Sequence, residues 1–373
     1  MAHLRQRSAH LAEPLIMLIH ERYLGREVLL ASLLVLASFL GLFGFFDLIN
    51  ELDNLGRGNY GLEHAVMYTV LTMPGRVYET LPIAVLIGGL YALTTLSRHS
   101  EITVLRASGV STARLLRLLA RIGLPFVALT FVTGEFIAPP AERAAQELKL
   151  AARSQLLTSE FRSGFWIKDE NNFVNVGRVT PDGKLQKVRI FEFDGRRVLL
   201  SVSEAEAAGY SASEGWMLTG VSRTEFSGEG AKVSRHERLA WQSALSPDVM
   251  SVMLVVPERM SAWKLWHYIQ HLVDNHQETG RYEIALWKKF TYPLACIVML
   301  ALALPFAYMH NRNSAVSIKV FTGVMIGVFF HMLNGLFSNL GAINSWPPYA
   351  AALTPGLLFL FAAAAMLWWE DRR

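Results

Sequence analysis

The sequence predicts a polytopic α-helical membrane protein of six transmembrane helices, with an inserted all-β, jelly-roll-like domain between the third and the fourth. Three observations carry this. Hydrophobic residues make up 52% of the 373 and charged residues only 18%, a balance that soluble domains rarely reach. Six runs approach the roughly 20 apolar residues that a spanning helix needs. One long polar stretch, about Pro139 to Arg281, interrupts them and carries short alternating segments.

The spans follow in order. Val28–Phe46 is the first, too long for the core of a signal peptide and therefore read as an uncleaved span. Leu81–Leu96 is the second, extended backwards by the amphipathic stretch His64–Tyr78 and interrupted by Pro82 and two glycines. Leu115–Ala138 is the third, with a kink expected at Pro125. Phe290–Tyr308, Val320–Leu340 and Tyr349–Trp368 complete the set.

Basic residues set the orientation. Arg5, Arg7, Arg22 and Arg26 precede span one. Arg98, Arg106, Arg114, Arg117 and Arg121 follow span two, Arg312 and Lys319 follow span four, and Arg372 and Arg373 end the chain. Six spans place all of these on one side, so both termini are expected in the cytoplasm. The loop after span one, with Glu51, Asp53, Arg57 and Glu63, has no basic excess. Trp346, Tyr349, Trp368 and Trp369 suit aromatic belts at the two ends of span six.

The insert begins with a helical continuation of span three, Ala141–Leu157. Strand-like runs then follow: "GFWIKD", "NFVNVGRV", "KVRIFEF", "RRVLLSVSEAEAAGY", "WMLTGVSRTEF" and a stretch near Met250–Val256. Turn signals at Pro181-Asp182-Gly183 and Asp194-Gly195 separate them, the pattern of a sandwich or jelly roll. Ser261–Glu278 is helical again. The expected domains are 1–138, 139–281 and 282–373.

Some chemistry is excluded. The single cysteine, Cys296, rules out an intrachain disulfide and a cysteine-rich metal site. The formal charge of +4 is modest and no nucleic-acid partner is expected. No G-x-x-x-x-G-K-[ST] occurs; the nearest case, Asp182-Gly183-Lys184, lacks the first glycine and is followed by leucine. If transport is driven by ATP, a separate subunit supplies it. The spans hold no Ser/His/Asp set and no acidic pair for hydrolysis.

The loop after span two reads as a short helix of about 100–107. Ser100 is placed to cap it and Glu101 sits in the first turn, where a carboxylate suits the dipole. Ile102 and Leu105 share a face. Ser108-Gly109 stops the helix, and Ser111 or Thr112 starts the next. Such a helix suits docking into a soluble ATPase through Glu101, Ile102, Leu105, Arg106, Ala107, Ser108 and Gly109; the plainer reading is a positive-inside loop. His267 and His271, at i, i+4 with His276 nearby, have zinc spacing but lack the zincin glutamate, and a polar helix face is the simpler role. Gly41 and Gly44 in span one, and Gly323 and Gly327 in span five, allow close helix approach, either within the chain or against a partner. Arg143, Lys149, Arg281, Lys288 and Lys289 cluster on the outer side, where the positive-inside rule asks for none. They suit a phosphate-bearing headgroup of the substrate or snorkel to ordinary phospholipid.

The chain resembles the LptF/LptG family of lipopolysaccharide-export permeases. The resemblance covers essentially its whole length and rests on "ERYLGRE" (Glu21–Glu27), "SEITVLRASG" (Ser100–Gly109), "GEFIAP" (Gly134–Pro139), "WIKDENNFVNVGRV" (Trp166–Val179) and "GRYEIALWKKFTYPLA" (Gly280–Ala295). The last two are nearer the LptG branch. The resemblance implies a non-catalytic permease in the bacterial inner membrane, paired with an LptF-like chain on an LptB-like ATPase dimer. ATP and magnesium are then bound by that partner, and no cofactor by this chain. An LptC-like bitopic protein and a periplasmic bridge would receive the lipopolysaccharide. Glu101 matches the loop glutamate that meets the ATPase, and spans one and five line the gates between paired chains. One departure is the acidic outer end of span one, Asp47, Glu51 and Asp53, where some chains of that branch carry lysines. The competing readings are an ABC permease for another lipid or a lipoprotein, and an intramembrane lipid-modifying enzyme.

Overall fold

A computed structural model of the protein describes residues 2–56, 58–153, 164–169, 172–179, 184–196, 198–211, 215–227, 230–241, 243, 257–275, 277–308 and 316–372. The expected turn Pro181-Asp182-Gly183, the stretch Met250–Val256, the last residues of Ala141–Leu157, His276, Arg57, Arg312 and Arg373 lie outside the described residues. The chain divides into two compact units, residues 1–46, 73–139 and 280–373, and residues 47–72 and 140–279.

Among the described residues, six helices are long and apolar enough to cross a membrane. They lie in α1 (Ala2–Leu52), α2 (Leu62–Arg98), α4 (Thr112–Val132), α7 (Gly280–Tyr308), α8 (Val316–Ile343) and α9 (Pro348–Asp371), with the short α3 (Glu101–Ala107) between α2 and α4. A π-helical turn, Thr133–Ile137, joins α4 to α5 (Ala138–Arg153). The core of the first unit brings together Val28, Leu86, Leu90, Leu119, Met299, Leu300 and Phe359, with Ile102 of α3 among them.

The interruptions in span two do not weaken it. α2 runs unbroken through Pro74 and Pro82, and 83% of its most apolar window is buried, the largest share of the six. The glycines explain the burial. A Cβ on Gly88 would overlap the backbone of Ser32, and one on Gly89 would lie 2.9 Å from Leu300 Cδ2. Small residues let α1 and α7 close on α2, and an apolar surround shields its backbone from competition.

In the second unit six strands pair in sequence order: β1 (Phe165–Asp169), β2 (Asn172–Val179), β3 (Leu185–Phe193), β4 (Leu199–Ser211), β5 (Gly215–Ser227) and β6 (Gly230–Trp241). All pairs are antiparallel. The insert is all-β, as expected, and the described strands pair with their sequence neighbours in a single sheet. At the turn expected at Asp194-Gly195, Asp194 Oδ1 accepts from the Arg196 and Val198 amides, both at 2.8 Å. Alternate residues, including Ile167, Val174, Val188, Ile190, Leu218, Trp216 and Trp241, form its core. Strand β6 escapes the sequence pattern. It is an edge carrying Lys232, Arg235, His236, Glu237 and Arg238, and only Trp241 in it is buried. Charge on an edge strand discourages unwanted pairing and erases the apolar alternation.

The return path starts with a 3₁₀ turn, Pro257–Arg259, and α6 (Ala262–Asp274), whose Ser261 hydroxyl accepts from the Lys264 amide at 3.4 Å. Arg259 pairs with the buried Glu142 of α5 at 2.7 Å. This unit also includes residues 47–72, the end of α1, its loop and the start of α2.

Candidate functional site

The short helix between α2 and α4 spans Glu101–Ala107. Its start differs from the expectation. Ser100 occupies the cap position but is left-handed (φ 62°) and makes no side-chain cap. The chain must reverse within two residues of the end of α2, and that backbone points the hydroxyl away from the first amides. Its end is built as a Schellman motif: the Gly109 amide donates to Arg106 O at 3.0 Å and the Val110 amide to Leu105 O at 3.1 Å. Gly109 has φ 91°, which glycine adopts without cost. Ser111 then caps α4 through the Arg114 amide.

This helix is tied to the bundle. Ile102 is buried in the core, and Leu105 is half-buried. Their shared face therefore points inward, the reverse of a docking face. The outward side carries Thr103, Val104, Ala107 and Ser108, with Val104 64% exposed. Glu101 is half-buried in the first turn, and the phenol of Tyr23 lies in its field. Arg106 stacks on the Tyr308 ring at 4.7 Å. The last carbonyls of α7 are held by neighbours: Ser97 Oγ donates to Ala307 O at 2.7 Å and Lys319 Nζ to Phe306 O at 2.8 Å. Arg106 of α3 and Ser97 of α2 therefore both contact the end of α7. The exposure of Val104 and the Tyr308 contact were not legible in the sequence. With seven residues the helix has one strong apolar pair, Ile102/Leu105, and one weak pair, Val104/Ala107, and burial takes the strong one.

The five outer cations do not act as one set. Lys289 is 4% exposed. Its ammonium donates to Gly134 O at 3.1 Å, within the π turn, and lies 5.1 Å from the Tyr78 ring centroid. A π turn disturbs the regular i→i−4 ladder, and here a buried cation supports one of its carbonyls. Tyr78 stacks on Tyr292, whose hydroxyl donates to Glu79 O. Gly134 is required there, because a Cβ would overlap the Tyr78 ring. Lys289 is thus committed to packing within the bundle. Lys149 is also committed. It pairs with Glu51 at 2.6 Å and lies 4.6 Å from the Tyr68 ring centroid. The other Glu51 oxygen accepts from Tyr60 Oη at 3.0 Å and Asn54 Nδ2 at 2.9 Å. The acidic end of span one thus neutralises Lys149.

Arg143 on α5 is half-buried, and Arg281 in the first turn of α7 is exposed. Lys288 faces away from its neighbour Lys289 and donates to Asn334 O of α8 at 3.1 Å. Gly323 and Gly327 take the internal reading: added Cβ atoms would overlap Leu90 and Ile83 of α2. Gly44 lies against Met73, and Gly41 has nothing within 4 Å. Of the histidines, His267 bonds Trp263 O through Nδ1 at 3.0 Å and His271 lies beside Asn275. Among the described residues no group of three or more His, Cys, Asp or Glu side chains converges as for a metal ion.

Comparison with known proteins gives these contacts a setting. A family model described as lipopolysaccharide export system permease LptF/LptG matches residues 22–369. The lipopolysaccharide export system permease protein LptG of Haemophilus influenzae is 30% identical over 350 residues, 94% of this chain and 97% of that protein. The protein of the same name from Escherichia coli K12 is 30% identical over 352 residues, 93% and 97% of the two chains. A match that spans all six apolar helices and the inserted sheet leaves no separate segment unassigned, and this chain belongs to the LptF/LptG family of permeases.

Proposed function

We propose that this chain is the LptG-type half of a lipopolysaccharide exporter, driven from α3 by an ATPase that it does not itself contain. It is a multi-pass inner-membrane permease of the lipopolysaccharide export system. The family favours lipopolysaccharide over the lipoprotein and lipid-modifying alternatives. The pairing with an LptF-like chain, an LptB-like ATPase dimer and an LptC-like protein is inferred from that system, as is delivery to a periplasmic bridge. The positive-inside count supports α3 and both termini in the cytoplasm and the β unit in the periplasm. ATP and magnesium belong to the partner.

The observation that carries the coupling reading is the fixed base of α3. Ile102 and Arg106 anchor it to the bundle while Thr103, Val104 and Ala107 stay outside. A docking helix needs both: a free face for the ATPase and a stiff connection that moves the spans. Glu101 then faces the partner from the first turn. For the substrate headgroup, Arg143 and Arg281 are the cations of the original set with the greatest freedom to meet phosphate.

The test is co-purification of the ATPase with tagged Glu101→Ala and Val104→Asp chains. Loss of a central interface contact costs about 2 kcal/mol or more, roughly thirtyfold in affinity. Both variants should lose the ATPase while their thermal midpoints stay near wild type. Ile102→Ala should instead lower the midpoint. Retained ATPase and normal export in both outward variants would refute the coupling role.

A further inference from the structure

The geometry points to a site for one acyl chain of an anionic glycerophospholipid in a groove between α7, α8 and α9. It lies beyond the export function, which neither requires nor describes it. The groove is a cavity of about 190 Å³. Its walls are mostly apolar, among them Val298, Phe330, Leu353 and Leu360, and among the described residues Lys288 is the one charged residue that lines it.

Three features select the occupant. The first is the setting. Leu294, Leu353, Leu357 and Leu360 border the groove and are themselves 37–52% exposed. In a spanning bundle, large exposed leucines face hydrocarbon, so the groove is continuous with the acyl region of the bilayer. The second is size. A volume of about 190 Å³ takes a stretch of one acyl chain and is too small for the several chains of a lipopolysaccharide anchor. The third is charge. Lys288 is eight residues into α7, about 12 Å from its first residue at 1.5 Å per residue. Its ammonium is held against Asn334 O at 3.1 Å, at the groove wall, where it attracts a headgroup of net negative charge more than a zwitterionic one, whose phosphate is balanced by its own cation.

The recess comes from α9. Pro355 and Gly356 stand side by side in its wall. Gly356 lines the groove and has nothing within 4 Å of where a Cβ would stand, so a side chain there starts in open space at the groove wall. Helix propensity favours that change by up to about 1 kcal/mol, so the plugged chain is expected to fold.

The experiment uses the full chain in nanodiscs of phosphatidylcholine doped with phosphatidylglycerol bearing a photoreactive acyl chain. Label is mapped by peptide mass spectrometry. It should fall on the α9 segment 353–360 and on α7, about tenfold more for phosphatidylglycerol than for a photoreactive phosphatidylcholine. Gly356→Leu should abolish labelling of that segment, with Leu360→Phe as a second plug. Lys288→Gln should bring the two lipids to equal labelling. Labelling that survives both plugs, or that is equal for the two lipids in the wild type, overturns the site. So does displacement of the probe by an equimolar amount of unlabelled lipopolysaccharide, which would give the groove to the export substrate.

Discussion

Replacing Lys289 by methionine separates the two roles that this residue has been given. The sequence puts a lysine near the outer end of a span, as a headgroup ligand would be. The structure buries it to 4% exposure against Gly134 O at 3.1 Å and the Tyr78 ring. Methionine keeps the unbranched stem and most of the volume, so little cavity forms. What is lost is the donor. A buried acceptor left without a partner costs about 1–3 kcal/mol, and the ring contact adds roughly 0.5–2 kcal/mol. Against this, a neutral side chain no longer has its charge desolvated on folding. The desolvation relief and the ring contact act in opposite directions. The orphan carbonyl in the π turn then sets the scale, a net loss of about 1–3 kcal/mol. At about 2–4 °C per kcal/mol for a domain of 150–250 residues, the midpoint should fall by about 2–12 °C. The assay is thermal unfolding of the purified chain in detergent, followed by tryptophan fluorescence, with co-purified lipopolysaccharide measured in parallel. Arg281→Met, at an exposed position of the same helix, should stay within about 0.5 kcal/mol of wild type. An unchanged midpoint together with reduced lipopolysaccharide would refute the packing role and restore Lys289 as a ligand.

Two further outcomes follow from the packing. Gly323→Ala should overlap Leu90, which is fully buried and has no room to withdraw. Overpacking of about 1–3 kcal/mol then exceeds the gain of up to about 1 kcal/mol in helix propensity, whereas Gly41→Ala, with open space around it, should be neutral or stabilising; equal midpoints for the two variants would contradict the α2–α8 contact. Glu51→Ala removes the acceptor for Lys149, Tyr60 and Asn54, and should cost roughly 1.5–3 kcal/mol. Hydrogen exchange of residues 47–60 should rise in that variant, and a double-mutant cycle with Lys149→Met that shows strict additivity would mean that the pair contributes nothing.

The elements were legible because their causes are local. Chain length and apolar composition mark a span wherever it lies in the fold, and all six were found this way, including α2 despite Pro82. The same holds for the C-terminal end of α3, since Gly109 is the residue that a left-handed cap needs. The six-strand insert showed through five of its strands; β6 did not, because an exposed, charged edge has no alternation to read. The site was less legible. The sequence identified α3 but not which of its residues the bundle buries, because the apolar pair Ile102/Leu105 at i, i+3 does not reveal whether protein or partner will cover it.

The sequence by itself determined that this is a six-span permease with a β insert after the third span, and which family it belongs to. The tertiary structure decided what each charge and each glycine does. Lys149 meets Glu51 across 98 residues of chain and Lys289 meets Gly134 across 155. Gly323 and Gly327 find their neighbours on α2. A lysine reads the same in sequence whether it faces a phosphate, a carboxylate or a buried carbonyl. Only the packing of distant segments removes water from one side of it and supplies the partner, and that choice is a property of the assembled bundle.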